Sequence, residues 1–155
     1  LSQAEVIGET FSFLSVGCST TASALAWFIF FMSKHSNVQN KLKKELSEYE
    51  HQRLSIEQLG KLIYLDAILR ELLRFVPVVG GTVRTLIADD QLPSTGVQLK
   101  EGDHVFIPFY NVNRDQRYCP GLMDPDQFHP ERFLIETNDN NYNNKIDSVT
   151  FGGGH

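Results

Sequence analysis

Cysteine is scarce in this sequence, and the two that occur, Cys18 and Cys119, lie far apart and do not form a CxxC pair. Two isolated thiols argue against a disulfide framework and favour a reducing compartment. The five histidines form no HExxH or similar pair, so a structural zinc site is not expected.

Positive charge is also in short supply. The 14 lysines and arginines stand against 19 aspartates and glutamates, which leaves a net charge of −5. Nucleic acid is not expected as the main partner, because binding it usually requires a basic patch. With 41% hydrophobic and 21% charged residues over 155 positions, the composition is that of one ordinary globular domain.

Charge is absent altogether from residues 10–33, and this stretch allows two interpretations. A membrane span needs about 20 mostly apolar residues, so one alternative is a non-enzymatic protein with a membrane helix at residues 10–33. Against it, hydroxyl side chains crowd the first part of the stretch around Gly17, and only residues 22–32 are densely apolar. We favour a buried central helix of a globular protein, because a helix that is apolar on most sides belongs in a core.

Helix-start signals and apolar periodicity predict helices through the first half of the chain. They are expected over residues 2–34, from Ser36, from Ser55 and over residues 62–75. Ser36 with Gln39, and Ser55 with Gln58, have the spacing of a capping box, in which each side chain bonds the backbone N–H of the other residue. Pro77 stops the last helix.

After Pro77 the periodicity becomes that of short strands. They are expected at residues 83–87, 97–99 and 105–107, with a helix resuming near residues 111–115 and a polar loop at residues 138–145. Long helices followed by a small sheet and an irregular stretch predict a fold that is mainly α with a small β-sheet.

Four short motifs occur in order along the chain. They are Gly17-Cys18-Ser19-Thr20-Thr21, Glu71-Leu72-Leu73-Arg74, Pro130-Glu131-Arg132-Phe133 and Phe151-Gly152-Gly153-Gly154-His155. Each alone has an ordinary structural explanation, such as a helix kink, a surface ion pair or a flexible loop. Together, their order and spacing resemble the distal-to-proximal half of a cytochrome P450, a haem-thiolate monooxygenase.

The resemblance implies an incomplete cytochrome P450 fold over residues 1–155, as a piece of a longer protein. Residues 1–34 would be the central oxygen-binding helix, residues 36–76 the following helices with the Glu-x-x-Arg motif, residues 82–108 the small sheet, and residues 109–155 the loop region that leads to the haem-binding loop.

On the distal side, the resemblance gives catalytic roles to Thr20 and Ser19. Gly17 would let the cofactor or oxygen approach the backbone, and Thr20 would take part in proton delivery during O₂ activation. Ser19 stands where the family pattern has an acidic residue. A serine cannot deliver protons through its own ionisation, so a relay would run through water.

On the proximal side, Glu71 and Arg74 lie three residues apart in an otherwise apolar helix, which predicts a buried ion pair. Such a pair is costly to bury unless its remaining groups are hydrogen-bonded. A third partner is therefore expected, and the resemblance makes Arg132 the candidate. This set resembles the Glu-Arg-Arg triad of P450s, whose role is in folding and haem retention.

Further contacts to the cofactor, haem b, are implied by the resemblance. Arg84 would reach a haem propionate, as guanidinium matches carboxylate. Phe151, Gly152 and Gly154 would surround the thiolate ligand. The ligand cysteine is expected three residues beyond His155, so no metal ligand is expected within the chain.

The resemblance also implies the reaction and its partners. The whole protein would insert one oxygen atom of O₂ into an apolar small molecule, with electrons from NADPH through a flavin reductase or a ferredoxin. Val78, Val79 and Val83 would line the substrate pocket. Residues 1–155 alone are expected to be inactive.

Location and reaction class stay open. The protein would lie at the endoplasmic reticulum membrane, through an anchor upstream of Leu1, if it is a eukaryotic microsomal member, and in the cytoplasm if it is bacterial. Ser19 keeps open a relative that isomerises or dehydrates its substrate without a reductase. A catalytically dead relative is the remaining alternative within the family.

Overall fold

The computed structural model of the chain describes residues 2–49, 53–118, 123–135 and 149–152. In chain order its elements are α1 (Gln3–Lys34), α2 (Ser36–Leu46), a short 3-10 turn (Ser47–Tyr49), α3 (Ile56–Leu59), α4 (Ile63–Phe75), β1 (Gly81–Thr85), β2 (Asp90–Gln91), β3 (Gln98–Leu99), β4 (His104–Pro108), α5 (Phe109–Val112) and α6 (Arg132–Ile135). The prediction of a mainly α chain with a small β part is confirmed. The predicted loop at residues 138–145, Cys119 and residues 153–155 lie outside the described residues.

Helix α1 begins with a capping box. Ser2 Oγ accepts from the N–H of Glu5 at 3.3 Å, and the Glu5 carboxylate accepts from the N–H of Ser2 at 2.6 Å. Within the described residues, only Phe31 and Met32 of this helix are buried. The prediction that α1 is a buried helix is therefore confirmed only at its C-terminal end. By length and composition α1 is apolar enough to cross a membrane, a criterion that core helices of soluble proteins also meet.

Aromatic packing sets the turn from α1 into α2. Helix α2 begins at Ser36 itself, and His35 occupies the N-cap position without a side-chain hydrogen bond to this helix end. The His35 ring stacks on Phe31 with 5.9 Å between ring centroids and lies 5.2 Å from the ring of Phe128. The capping box predicted for Ser36 and Gln39 is therefore wrong, because packing places the helix start one residue earlier.

The two following helices start in different ways. At α3 the predicted capping box is confirmed: Ser55 Oγ accepts from the N–H of Gln58 at 3.3 Å, and Gln58 Oε1 accepts from the N–H of Ser55 at 2.8 Å. At α4 the donors are satisfied from another helix, since the Glu45 carboxylate accepts from the N–H groups of Tyr64 and Leu65 at 2.7 and 3.0 Å. A carboxylate there also meets the positive end of the helix dipole. Helix α2 is thus fixed across the start of α4.

The hydrophobic core lies where α1, α2 and α4 meet. Its buried side chains are Phe31, Met32, Val38, Leu42, Ile68, Leu72 and Phe128. The rings of Phe31 and Phe128 stack with 4.6 Å between their centroids. Because Phe128 comes from the loop before α6, this core joins that loop to the helices.

The β part consists of two antiparallel ladders, in which β1 pairs with β4 and β2 pairs with β3. The strand predicted at residues 83–87 is displaced, because Ile87 lies beyond the ladder and is 92% exposed. Strand β1 instead begins at Gly81, where a Cβ atom would lie 2.4 Å from the backbone oxygen of Ile107, so only glycine fits. The other two predicted strands agree with β3 and β4 to within one residue, whereas β2 is not predicted. The helix predicted at residues 111–115 begins earlier, as α5.

Candidate functional site

Two residues of α4 form the centre of the candidate site. Glu71 and Arg74 share one side of the helix because they lie three residues apart, and both side chains are fully buried. Arg74 donates from Nε to Glu71 Oε2 at 2.7 Å and from Nη2 to Glu71 Oε1 at 2.9 Å. This two-point contact is among the strongest that a guanidinium can make with a carboxylate.

Arg132, at the start of α6, joins this pair from 61 residues further along the chain. Its Nε donates to Glu71 Oε1 at 3.1 Å, and its side chain is only 3% exposed. The same oxygen accepts from the backbone N–H of His129 at 2.8 Å. The structure thus brings together Glu71, Arg74 and Arg132, which we call the Glu71 cluster. A role of the cluster in haem retention stays a prediction.

The two arginines carry one positive charge more than the glutamate offsets, and backbone oxygens accept from several of their other N–H groups. Arg74 Nη1 donates to the carbonyl oxygens of Asn113 and Pro125 at 2.9 and 3.0 Å. Arg132 Nη2 donates to two further carbonyl oxygens, each at 3.0 Å. A buried ion pair is tolerated only when its remaining groups are hydrogen-bonded. The Glu71 cluster therefore fastens the segments around Asn113 and Pro125 to α4.

Glu131 forms a second, more exposed polar contact beside the cluster. Its Oε1 accepts from Lys41 Nζ at 2.6 Å and from the Tyr64 hydroxyl at 2.8 Å. Burial pushes the pKa of Glu131 upwards, but hydrogen bonds from Lys41, from the backbone and from Tyr64, together with the charge of Lys41, leave that pKa below its usual value. Burial, followed by the hydrogen bond to Glu131, raises the pKa of the Tyr64 hydroxyl. This contact ties α2 and α4 to the segment that leads into α6.

The lowered pKa of Glu131 predicts an acid-sensitive contribution to stability. A carboxyl whose folded-state pKa is depressed stabilises fully above its unfolded pKa of about 4.3, and this contribution disappears as the pH falls through the lower folded-state pKa. We therefore expect Glu131→Gln to lower the free energy of unfolding by about 1 kcal/mol at neutral pH. Below about pH 4 this decrease is expected to become progressively smaller.

Urea unfolding of the full-length protein at a series of pH values measures this difference. Glu48→Gln, at an exposed glutamate of the turn after α2, is the matched control. If Glu131→Gln lowers the free energy of unfolding by the same amount at every pH, the lowered pKa of Glu131 is contradicted.

The predicted distal residues lie along the largely exposed middle of α1. A Cβ atom at Gly17 would have nothing within 4 Å beyond the backbone of its own helix, so the surface at this glycine is open. Ser19 is exposed, and Thr20 is half-buried. Thr20 Oγ1 donates to the carbonyl oxygen of Val16 at 2.9 Å. The hydroxyl keeps its capacity to accept a hydrogen bond, for example from a water molecule.

Arg84 lies on β1 and is exposed. Its Nη1 donates to Thr82 Oγ1 at 2.6 Å and to the carbonyl oxygen of Val83 at 3.1 Å. Within the described part of the chain, no carboxylate pairs with Arg84. The guanidinium has five N–H donors in all, so it can still bind an anionic group.

The other predicted contact residues are mostly open to solvent. Val79 and Val83 are 44% and 54% exposed, and Val78 is half-buried. Phe151 is 90% exposed, and Gly152 has a φ of +80°, a backbone conformation that favours glycine. Gly154 lies outside the described residues.

The predicted contact residues carry groups that suit a haem. Arg84 offers a guanidinium without a carboxylate partner among the described residues, Gly17 leaves open space at the helix surface, and Phe151 presents an apolar ring. No group of three or more His, Cys, Asp or Glu that could hold a metal occurs in the described ranges, and Cys18 is exposed on α1. An iron ligand beyond His155 stays a prediction.

Sequence reasoning missed two buried polar residues beside the Glu71 cluster. Asn113 is 2% exposed and Thr150 is 7% exposed. Asn113 Oδ1 accepts from the N–H of Val149 at 3.1 Å, which links α5 to the segment before Phe151. One signal could have pointed to Thr150: Pro77 has no N–H, so a carbonyl oxygen at the end of α4 needs a donor from elsewhere.

Comparisons with protein-family models and with curated sequences both match this chain to cytochrome P450s. A family model described as cytochrome P450 matches residues 1–155. Cytochrome P450 4V2 of Mus musculus is 36% identical over 139 residues, which cover 88% of this chain and 26% of that relative. Cytochrome P450 6l1 of Blattella germanica is 31% identical over 139 residues, covering 88% of this chain and 27% of that relative.

A solved structure of a cytochrome P450 also matches the fold of this chain. Cyanobacterial CYP120A1 with retinoic acid bound aligns with a TM-score of 0.76 and 33% identity, covering 93% of this chain and 32% of that protein. The chain spans about a quarter of the length of the curated relatives it matches. Because one family model covers every residue and the fold matches that of a family member, the chain belongs to the cytochrome P450 family.

Proposed function

We propose that the full-length protein is a haem-dependent monooxygenase. It inserts one oxygen atom of O₂ into an apolar small molecule and takes its electrons from a reductase. One observation carries the proposal above all: a fully buried Glu71–Arg74 pair is joined by Arg132 in a chain that the cytochrome P450 family model matches throughout. Haem retention is the task proposed for this cluster.

The haem, when bound, supplies the O₂ activation and the oxidising power. The role of the chain is to hold it, orient it and deliver protons. Arg84 is proposed to pair with a propionate, and Phe151 with Gly152 and Gly154 to enclose the thiolate ligand. The Glu71 cluster fastens the proximal segments to α4.

In this proposal, residues on the distal side contact the substrate and take part in proton delivery. Gly17 leaves room for O₂ beside α1. Thr20 accepts a hydrogen bond from water. Ser19 carries no ionisable group, so the proton relay beside it runs through water. The apolar side chains of Val79 and Val83, with Val78 beside them, contact the substrate. Their exposure in this chain leaves them available for such contacts.

The proposed electron source is NADPH, through a flavin reductase or a ferredoxin. The location follows from the type of member: the endoplasmic reticulum membrane for a eukaryotic microsomal enzyme, the cytoplasm for a bacterial one. Membrane association of a microsomal enzyme would use an N-terminal anchor.

A second candidate function rests on Ser19. Because the acidic position of the distal pattern holds a serine, proton delivery depends on water alone, and an isomerase or dehydratase that needs no reductase remains compatible with the site. Turnover of a substrate without NADPH would favour this candidate.

The experiment that separates the two supplies the full-length protein with reductase, NADPH and isotopically labelled O₂. A monooxygenase is expected to place one labelled atom in the product and the other in water, and to stop without NADPH. Product formation without NADPH and without label would refute the monooxygenase.

Thr20→Ala tests the distal side. We expect product formation to fall by about 100-fold, the lower end for loss of a positioned proton-transfer group, with more hydrogen peroxide released per substrate oxidised. Thr10→Ala is the matched control, because Thr10 Oγ1 makes the same kind of bond, to the carbonyl oxygen of Val6 at 2.8 Å, on the same helix. Equal coupling of O₂ use to product in both variants would remove Thr20 from the mechanism.

A further inference from the structure

The C-terminal turn of α4 has a carbonyl oxygen that its own helix cannot satisfy. Leu73 lies among the last residues of α4, whose carbonyl oxygens lack intrahelical partners. The residue four positions further on is Pro77, which has no N–H to offer. Thr150 Oγ1 donates to the Leu73 oxygen at 3.2 Å, from 77 residues away in sequence. A long-range contact therefore fills the position that the proline leaves open.

Asn113 extends this contact into a directional chain of hydrogen bonds. Its Oδ1 accepts from the N–H of Val149 at 3.1 Å, and its Nδ2 donates to Thr150 Oγ1 at 3.4 Å. The N–H of Val149 can only donate and the Leu73 oxygen can only accept, so the two partners determine how the amide and the hydroxyl are oriented. An apolar replacement of either side chain would leave buried polar groups unpaired.

The same network meets the Glu71 cluster at Asn113. The backbone oxygen of Asn113 accepts from Arg74 Nη1 at 2.9 Å, while its side chain binds Val149 and Thr150. Phe151 follows directly in the chain. One buried asparagine thus joins the ion cluster to the segment that leads into the glycine-rich loop.

We propose that Asn113 and Thr150 are positioning residues for the haem-binding loop. They hold residues 149–152 against the C-terminal turn of α4, and through that backbone they set the surroundings of the thiolate ligand. The inference rests on the proposed function, because the loop has this task only in a haem protein. Hydrogen bonding around a thiolate tunes its electron donation, so loop position affects the reduction potential as well as haem retention.

Two substitutions of one residue test the proposal in the full-length holoprotein. Thr150→Val keeps the shape of the side chain and removes the hydroxyl, whereas Thr150→Ser keeps the hydroxyl. We expect Thr150→Val to lose haem to an excess of an acceptor apoprotein about tenfold faster, which corresponds to about 1.4 kcal/mol. Its reduction potential is expected to shift, and the amide of Val149 to exchange its hydrogen faster. Thr150→Ser is expected to restore all three values.

Leu42→Ala controls for a loss of stability alone, since Leu42 lies in the core shared by α1, α2 and α4. It is expected to lower the free energy of unfolding and to leave the reduction potential unchanged. The proposal is overturned if Thr150→Val and Thr150→Ser behave alike, or if Leu42→Ala shifts the potential as much as Thr150→Val does. A wild-type protein that takes up no haem would refute the proposed function, and this inference with it.

Discussion

Replacing Glu71 by alanine in the full-length protein is expected to abolish haem incorporation. The substitution leaves the guanidinium groups of Arg74 and Arg132 buried, at 0% and 3% exposure, without the carboxylate they share. Removing one partner of a buried ion pair typically costs about 3–5 kcal/mol, a large share of the stability of a domain. The measurement is haem bound per protein chain, together with the free energy of unfolding in urea.

Asp66→Ala supplies the control on the same helix. Asp66 pairs with Arg70 at 2.7 Å, but both side chains are more than half exposed, at 59% and 57%. Asp66→Ala is therefore expected to lower the free energy of unfolding by no more than about 0.5 kcal/mol and to leave the haem content normal. Normal haem loading in Glu71→Ala would contradict the role proposed for the Glu71 cluster.

Replacing Gly17 by leucine is expected to stop turnover without unfolding the protein. Glycine is a poor helix former, so leucine at this position is expected to stabilise α1 by about 0.5–1 kcal/mol. A Cβ atom at Gly17 would have nothing within 4 Å beyond its own helix in this chain. In the proposed enzyme the same side chain occupies the space needed by O₂ and haem. A misplacement of about 1 Å at a reacting centre can cost about 100-fold in rate, so we expect at least that loss of product formation.

Gly8→Leu is the matched variant for this prediction. Gly8 lies on the same helix, and a Cβ atom there also has nothing within 4 Å. The free energy of unfolding and the rate of product formation are measured for both variants. If Gly17→Leu and Gly8→Leu retain equal activity, the open surface at Gly17 has no part in the reaction.

Sequence reasoning succeeds in this chain where the signal is local or where one interaction dominates. The capping box at Ser55 and the end of α4 before Pro77 depend on a few neighbouring residues, and both are found. The contact between Glu71 and Arg132 is long-range. A charged pair in an apolar helix indicates that a further partner is needed, and the resemblance to the P450 triad identified that partner as Arg132.

The failures have a common physical cause in contacts between distant segments. Ser36 has a good capping pattern, but stacking of His35 on Phe31 and Phe128 places it inside the helix. Nothing in the local sequence pattern pairs Asn113 with Thr150, and only the fold brings them together.

The short strand β2 shows the same limit. It consists of two exposed residues whose pairing with β3 depends on the turn between them. Strands of that length carry no hydrophobic alternation from which they could be recognised. A strand that forms only by pairing with another strand therefore cannot be predicted from the local sequence pattern.

A carbon monoxide difference spectrum of the reduced full-length protein tests the central claim most directly. We predict the red-shifted Soret band of a thiolate-bound haem in the wild type and in Asp66→Ala, and its absence in Glu71→Ala. A wild-type protein without that band, or a band of full height in Glu71→Ala, would contradict the proposal that the full-length protein is a haem-thiolate enzyme stabilised by the Glu71 cluster.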